Sequence, residues 1–298
     1  MSGSRSQPRQ RRELDAGSEF VHRPALAGPF DLIGDVHGML VTLDAMIERL
    51  GYRRSAGRWS HPLGRTLISL GDLVDRGPDP LGCVERIADL VADGCALMVL
   101  GNHELNALHY MAGLREASTK NREQFAATLA QIEAAPSRWD RAHEFLTGQP
   151  THALLDEDRL RVVHACWDPD HIGRLPVRLD HPEALEASAP TGSLGDAFEA
   201  CIKGPERGCA PYQDNNGHWR ETRRLAWWNE YPAEAPRVVF GHYWFPWAQA
   251  TPRVPEWTGP GRNAACLDFR AGRGGPLVAL RYPEDEFVVV PNLDVAPG

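Results

Sequence analysis

Five short apolar runs in this chain break off abruptly into glycine and ionisable or polar residues. FDLI (30–33) runs into GDVHG, TLISL (66–70) into GDLVDRG, and CALMVL (95–100) into GNHE; later LRVV (160–163) runs into His164, and RVVF (237–240) into Gly241 and His242. Short apolar runs bounded by turn residues read as buried strands. Between the first three lie helical patterns: Leu40, Leu43, Ile47 and Leu50 in MLVTLDAMIERL, then Leu81, Val84, Ile87 and Val91 in LGCVERIADLVADG, with Gly94 just past its end. Strand, helix, strand, helix, strand at this spacing predicts parallel pairing with both sheet faces covered. The carboxyl edge of such a sheet is where ligands bind, and all five runs deliver polar residues there.

The remainder is less regular. Residues 104–150 read as mainly helical, with ELNALHYMAGL and REQFAATLAQIEAA the clearest segments. Residues 168–236 are rich in Pro, Gly and Trp and give no clear pattern. RVVF, NAACLDF (263–269), PLVALRY (276–282) and EFVVV (286–290) predict an antiparallel run closing a second sheet. The opening MSGSRSQPRQRRELDAGSEF is polar and without periodicity, so residues 1–27 are expected to be a disordered tail. Its four arginines are offset by Glu13, Asp15 and Glu19, a weak case for a nucleic-acid arm.

Composition narrows the function classes. A net charge of −8 argues against a nucleic-acid coat or an anionic-membrane protein. The six cysteines, Cys83, Cys95, Cys166, Cys201, Cys209 and Cys266, form no CxxC pair and read as free thiols in a reducing compartment. No apolar run approaches the roughly 20 residues of a membrane helix, and no signal-type core opens the chain. The localisation expected is cytoplasmic.

The strand-end residue types suit a pair of divalent cations. Such a pair needs a central carboxylate that binds both ions, with imidazoles, an amide oxygen and further carboxylates completing each shell. Asp72 is the natural bridge. Asp35 and His37 alternate along an extended segment, so both face one side while Val36 turns to the core. Singly, each residue has a plain alternative, since Asp at a strand end commonly caps a helix and an isolated buried His is commonly structural. Independent turns have no reason to yield a complete two-metal ligand set.

Taken together, GDVHG, GDLVDRG, GNHE, His164 and the FGH at 240–242 resemble the calcineurin-like metallophosphoesterases, and within them the phosphoprotein phosphatase branch that includes bacterial diadenosine tetraphosphatases. The resemblance implies a four-layer α/β/β/α sandwich of two mixed sheets. One catalytic domain would span 28–298, with insertions at about 105–155 and 168–236. Asp35, His37 and Asp72 would bind one metal, and Asp72, Asn102, His164 and His242 the other. Manganese is the metal expected, and iron or zinc suits the same ligands. His103 would be the general acid, oriented by Asp75. Arg76 would grip the phosphoryl oxygens, alongside Asn102. A hydroxide bridging the metals would attack phosphorus in line.

The resemblance leaves the substrate open among a phosphorylated small molecule, a nucleotide and a phosphoprotein. Tetraphosphatases of enterobacterial type resemble GDLVARG instead, so Asp75 draws this chain toward the protein phosphatases. In KGPERGCAPYQDNNGHWRETRRLAWW (203–228), Lys203, Arg220, Arg223, Arg224, Trp227 and Trp228 read either as a phosphate- and base-binding rim or as a solvated patch over core tryptophans. Arg224 is the candidate for a second phosphate-holding arginine. His109, His143, His152, His171, His181 and His218 match no motif, and Cys166 reads as a small buried thiol. Two other functions stand against the phosphatase: a non-catalytic metal- or nucleotide-binding module, which predicts a damaged ligand set, and a nuclease, which the net charge disfavours.

Overall fold

The computed structural model describes residues 22–23, 26–213, 219–247 and 254–295. Its strands are β1 (His22–Arg23), β2 (Phe30–Ile33), β3 (Arg53–Ser55), β4 (Arg58–Ser60), β5 (Thr66–Ser69), β6 (Ala96–Met98), β7 (His152–Leu155), β8 (Leu160–Val163), β9 (Glu206–Gln213), β10 (Trp219–Arg224), β11 (Arg237–Phe240), β12 (Ala264–Cys266), β13 (Leu277–Tyr282) and β14 (Glu286–Val290). The longer helices are α1 (Leu40–Leu50), α2 (Pro80–Ala92), α3 (Asn102–Met111), α4 (Thr119–Ala134) and α5 (Pro136–Thr147).

Two five-stranded mixed sheets carry the fold, in the orders β14-β13-β2-β5-β6 and β1-β7-β8-β11-β12. In the first, β2, β5 and β6 run parallel, with Ile33 opposite Ser69 and Ser69 opposite Met98. That register ends three strands level, so the segments beginning at 34, 71 and 101 leave the sheet side by side. In the second, β8, β11 and β12 run parallel, with Val162 opposite Val239 and Val239 opposite Ala265. One apolar cluster includes Leu32 and Ile68 from the first sheet and Val162, Val239 and Ala265 from the second. The result is the expected sandwich of two mixed sheets and helices.

The helices form where the apolar spacing predicts. α1 buries Leu43, Met46, Ile47 and Leu50, and α2 buries Leu81, Val84, Ile87 and Leu90, leaving Val91 half-buried. α2 starts sharply because Asp79 accepts the Gly82 N–H at 3.0 Å and Pro80 opens its first turn. The helical insertion docks on α2: Gln131 accepts the Leu81 N–H at 2.9 Å, and Arg138 forks onto Glu85 at 2.8 Å.

The closing strands differ from expectation. β11 and β12 pair in parallel, because the segment between them is long enough for a crossover, whereas β13 and β14 form an antiparallel hairpin and return to the first sheet beside β2. The stretch 168–236 holds an antiparallel hairpin, β9–β10, besides short helices. The disordered tail expected over 1–27 lies largely outside the described residues; within it, His22 and Arg23 pair in parallel with Leu154 and Leu155. No described helix is long and apolar enough to cross a membrane.

Candidate active site

The strand-end segments turn sharply into the space where the two sheets meet. His37, Asp72, Asp75, Arg76 and His242 have φ of 51°, 53°, 72°, 67° and 68°. Five non-glycine residues in the left-handed region of one site mark a backbone held by its surroundings. Part of the hold is Glu104, fully buried, whose carboxylate accepts the N–H groups of Asp72, Leu73, Val74 and Gly101 at 2.6–3.2 Å. It ties the GDLVDRG loop to the start of α3. Gly241 and Gly272 provide clearance: a side chain at 241 would overlap Asp35 Oδ1, and one at 272 would come within 2.7 Å of His37.

Two clusters of potential ligand atoms share one residue. Atoms of His37, Asp72 and His103 lie within 4.8 Å of one another, and so do atoms of Asp72, His164 and His242; all five residues are buried. Asn102 joins the second group, with its Oδ1 3.1 Å from His164 Nε2 and 2.6 Å from His242 Nδ1. His37 donates from Nδ1 to Val74 O at 3.1 Å, and His164 from Nδ1 to Leu70 O at 2.7 Å. Each is thereby left with a lone pair on Nε2. Asp35 stands at the edge of this arrangement, its carboxylate accepting the His242 N–H at 3.0 Å.

The electrostatics fit a cation. His164 Nε2, Asn102 Oδ1 and Asp72 Oδ1, the last 3.3 Å from the imidazole, are acceptors turned toward one another. His37 Nε2 and His242 Nε2 are buried without any hydrogen-bond partner. Burial, then the charges of Asp268 and Asp72, push Asp35 well above the usual carboxylate range. Burial opposes charge on His164, yet with no cation beside it Asp72 and Asp35 outweigh that cost and carry its pKa up to about 10, a proton on Nε2 then standing where a cation would take the lone pair. His242 is held well below the usual imidazole range by burial and by the positive charge of Arg224. Buried carboxylates that cannot all ionise, beside imidazoles with inward lone pairs, are what divalent ions stabilise.

Within the first cluster, His103 Nδ1 meets Asp75 Oδ2 at 2.5 Å. Its Nε2 faces Arg76 Nη2 at 3.3 Å and Gln124 Nε2 at 3.4 Å. The Arg76 guanidinium lies 4.3 Å from the ring centre of Trp244, which fixes its plane against an aromatic face. Thus the structure brings together Asp35, His37, Asp72, Asp75, Arg76, Asn102, His103, His164 and His242. Arg224, on exposed β10, reaches the group only through its charge on His242.

Other readings resolve differently. Trp228 stacks on Phe240, Trp227 packs against the same ring at a tilt, and the Trp227 indole N–H donates to Ala165 O at 2.9 Å, so they are packing residues. His109 is buried against Ser188, Cys166 is a buried thiol, and His218 lies outside the described residues. Sequence reasoning missed Asp268, Thr128, Gln124, Trp244 and Gly272. Asp268 carried the same signal as the others, an acid just past an apolar strand. It is fully buried and accepts the Trp244 and Arg270 N–H groups at 2.8 and 2.9 Å. Thr128 and Gln124 sit on α4, where no motif marks them.

The family model for calcineurin-like phosphoesterases matches residues 28–262. A protein of Halalkalibacterium halodurans, named bis(5'-nucleosyl)-tetraphosphatase PrpE (asymmetrical), is 30% identical over 273 residues, covering 88% of this chain and 94% of that relative. Its namesake in Geobacillus thermodenitrificans is 32% identical over 272 residues, with the same coverage. Among solved structures, a candidate diadenosine tetraphosphatase superposes with a TM-score of 0.54 at 20% identity, over 91% of this chain and 97% of its own. A cold-active protein-tyrosine phosphatase from a Shewanella species follows at 0.51 and 17%, over 89% and 80%.

Proposed function

The chain belongs to the calcineurin-like phosphoesterases and is a metal-dependent phosphoesterase; on that premise we propose that it hydrolyses a dinucleoside tetraphosphate asymmetrically. The observation that carries the chemistry is Asp72, shared by both ligand clusters. Asp35, His37 and Asp72 would hold one ion, and Asp72, Asn102, His164 and His242 the other. Manganese is the ion expected for this mixed nitrogen and oxygen set. When bound, the ions neutralise phosphoryl charge and lower the pKa of the attacking water.

The protein's own groups do the rest. His103 would deliver a proton from Nε2 to the leaving phosphate oxygen, while Asp75, bonded to Nδ1, orients the ring. We assign His103 to this dyad rather than to the ligands: although it lies within reach of the first cluster, its Nδ1 is taken by Asp75 and its Nε2 also faces Arg76. Arg76 presents a planar fork to the phosphoryl oxygens from its seat on Trp244, and Arg224 adds positive charge that bears on His242. The dinucleotide substrate is supported by the names of the full-length relatives. The six unpaired thiols suit a reducing, cytoplasmic setting.

The deciding experiment offers manganese-loaded protein an aryl phosphate, a phosphopeptide and diadenosine tetraphosphate side by side. Release of ATP and AMP as the preferred reaction supports the proposal. Preference for the phosphopeptide would replace it with a protein phosphatase, and no turnover of any of the three with metal bound would remove the enzyme reading.

A further inference from the structure

No side chain of β9 or β10 is buried, so the hairpin they form adds nothing to the core. A two-stranded ribbon on its own is marginal in water, and the composition of this one answers to something other than packing. It carries Arg207, Arg220, Arg223 and Arg224 against Glu206 and Glu221, in a chain whose net charge is −8. Arg223 faces Arg207 directly across the ladder. Like charges so placed repel, and an anion between them removes the penalty. The Arg223 guanidinium also lies 5.0 Å from the Tyr212 ring centre, which orients its fork.

The base of this hairpin is fixed at the metal-binding cluster. Leu225 N–H donates to Pro205 O at 2.9 Å. Gly204 sits so close to the Tyr243 hydroxyl that a side chain would collide with it, and Tyr243 follows His242. Arg224 ends β10 where its charge bears on His242. From there the strand runs outward to Trp219, five residues or about 16 Å away, whose side chain is 69% exposed.

We propose that the β9–β10 hairpin is a binding arm for the portion of a linear polyphosphate that lies beyond the phosphate under attack. Arg223 and Arg207 hold the distal phosphates, and the Trp219 indole stacks on the distal nucleoside. The inference rests on the dinucleoside reading above for its natural ligand, and it predicts selectivity by length, since a small monoester ends before the arm begins.

The test uses full-length manganese-loaded protein, wild type and R207A/R223A, with metal in excess. Inorganic tripolyphosphate and orthophosphate are compared as inhibitors of aryl phosphate hydrolysis, and KM is measured for diadenosine tetraphosphate. Loss of two charge-assisted contacts should raise both the tripolyphosphate inhibition constant and that KM by about 10-fold or more. Orthophosphate inhibition and aryl phosphate kcat/KM should stay within about twofold, and R207K/R223K should recover part of the loss. Trp219→Ala should weaken the dinucleotide and leave tripolyphosphate untouched. Unchanged tripolyphosphate inhibition in R207A/R223A would overturn the arm, and so would a matching loss on orthophosphate, which would make the hairpin a support of the fold. If wild type binds tripolyphosphate through these arginines yet does not turn over the dinucleotide, the arm stands and the dinucleoside reading falls.

Discussion

The Thr128 hydroxyl holds Asp75 from two sides, donating to its Oδ1 at 2.6 Å and accepting its backbone N–H at 3.0 Å. The other carboxylate oxygen meets His103 Nδ1, so a side chain on the helical insertion sets the rotation of the acid dyad. Thr128→Val keeps the shape and removes both bonds. It should keep metal content and lower kcat by roughly 10-fold on substrates with poor leaving groups, a fraction of what general acid catalysis contributes, with activated aryl phosphates little changed. His103→Asn should lose more, with the same dependence. Comparing leaving groups checks both; equal loss on all of them would contradict the positioning role.

Asp72 is the point at which removal of one group should empty both clusters. Asp72→Asn is expected to lose nearly all bound metal, whereas His37→Ala should retain an ion at the His164 and His242 side. Chelation of wild type should lower the melting temperature, because an ion present at 100 times its dissociation constant adds about 2.7 kcal/mol to the native state. Metal analysis beside thermal melts reads both effects, and full metal content in Asp72→Asn would refute the shared-ligand assignment.

His109 predicts a pH dependence of stability apart from the catalytic groups. Burial and then the charge of Lys203 bring its pKa down to about 4, while its Nε2 bonds Ser188 Oγ at 2.8 Å. The unfolded chain binds that proton near 6.5 and the native protein does not, so the contribution is complete above pH 7. It is lost as pH falls from 6.5 toward 4. Between pH 7.5 and 5, urea unfolding should show about 2 kcal/mol less of this slope in His109→Gln than in wild type. Identical slopes would show that the imidazole is not held neutral.

Thiol chemistry separates the cysteines. Cys83, Cys166, Cys201 and Cys266 are buried, and burial pushes all four thiols up, Cys201 to about 12. Only Cys95 and Cys209 are partly exposed. Iodoacetamide on native protein should label those two alone, with the other four appearing on unfolding. Peptide mass mapping decides it; rapid native labelling of Cys166 would show that burial does not protect its thiol.

What the sequence disclosed follows from where the physical constraint is local. Asp35, His37, Asp72, Asn102, His103, His164 and His242 were legible because each follows an apolar strand or opens the next helix, and strand ends that share a register must converge. Asp268 sits in the same kind of position but is harder to read, because its strand, Ala264–Cys266, is short and its pairing is not marked locally. An apolar run announces burial but not its neighbour, which is why turn-separated spacing alone predicts an antiparallel pairing where β11 and β12 are parallel. Thr128 and Gln124 were not legible at all. A helix face turned toward a dyad 53 and 21 residues away in sequence looks locally like any other polar face.

The left-handed backbone at His37, Asp72, Asp75, Arg76 and His242 sets durability against activity in this protein. Each such non-glycine residue costs about 1–2 kcal/mol, and glycine would occupy the same conformation without that cost. A selection for heat resistance alone would therefore be drawn to these five positions. The variants it favoured would be longer-lived proteins emptied of their chemistry.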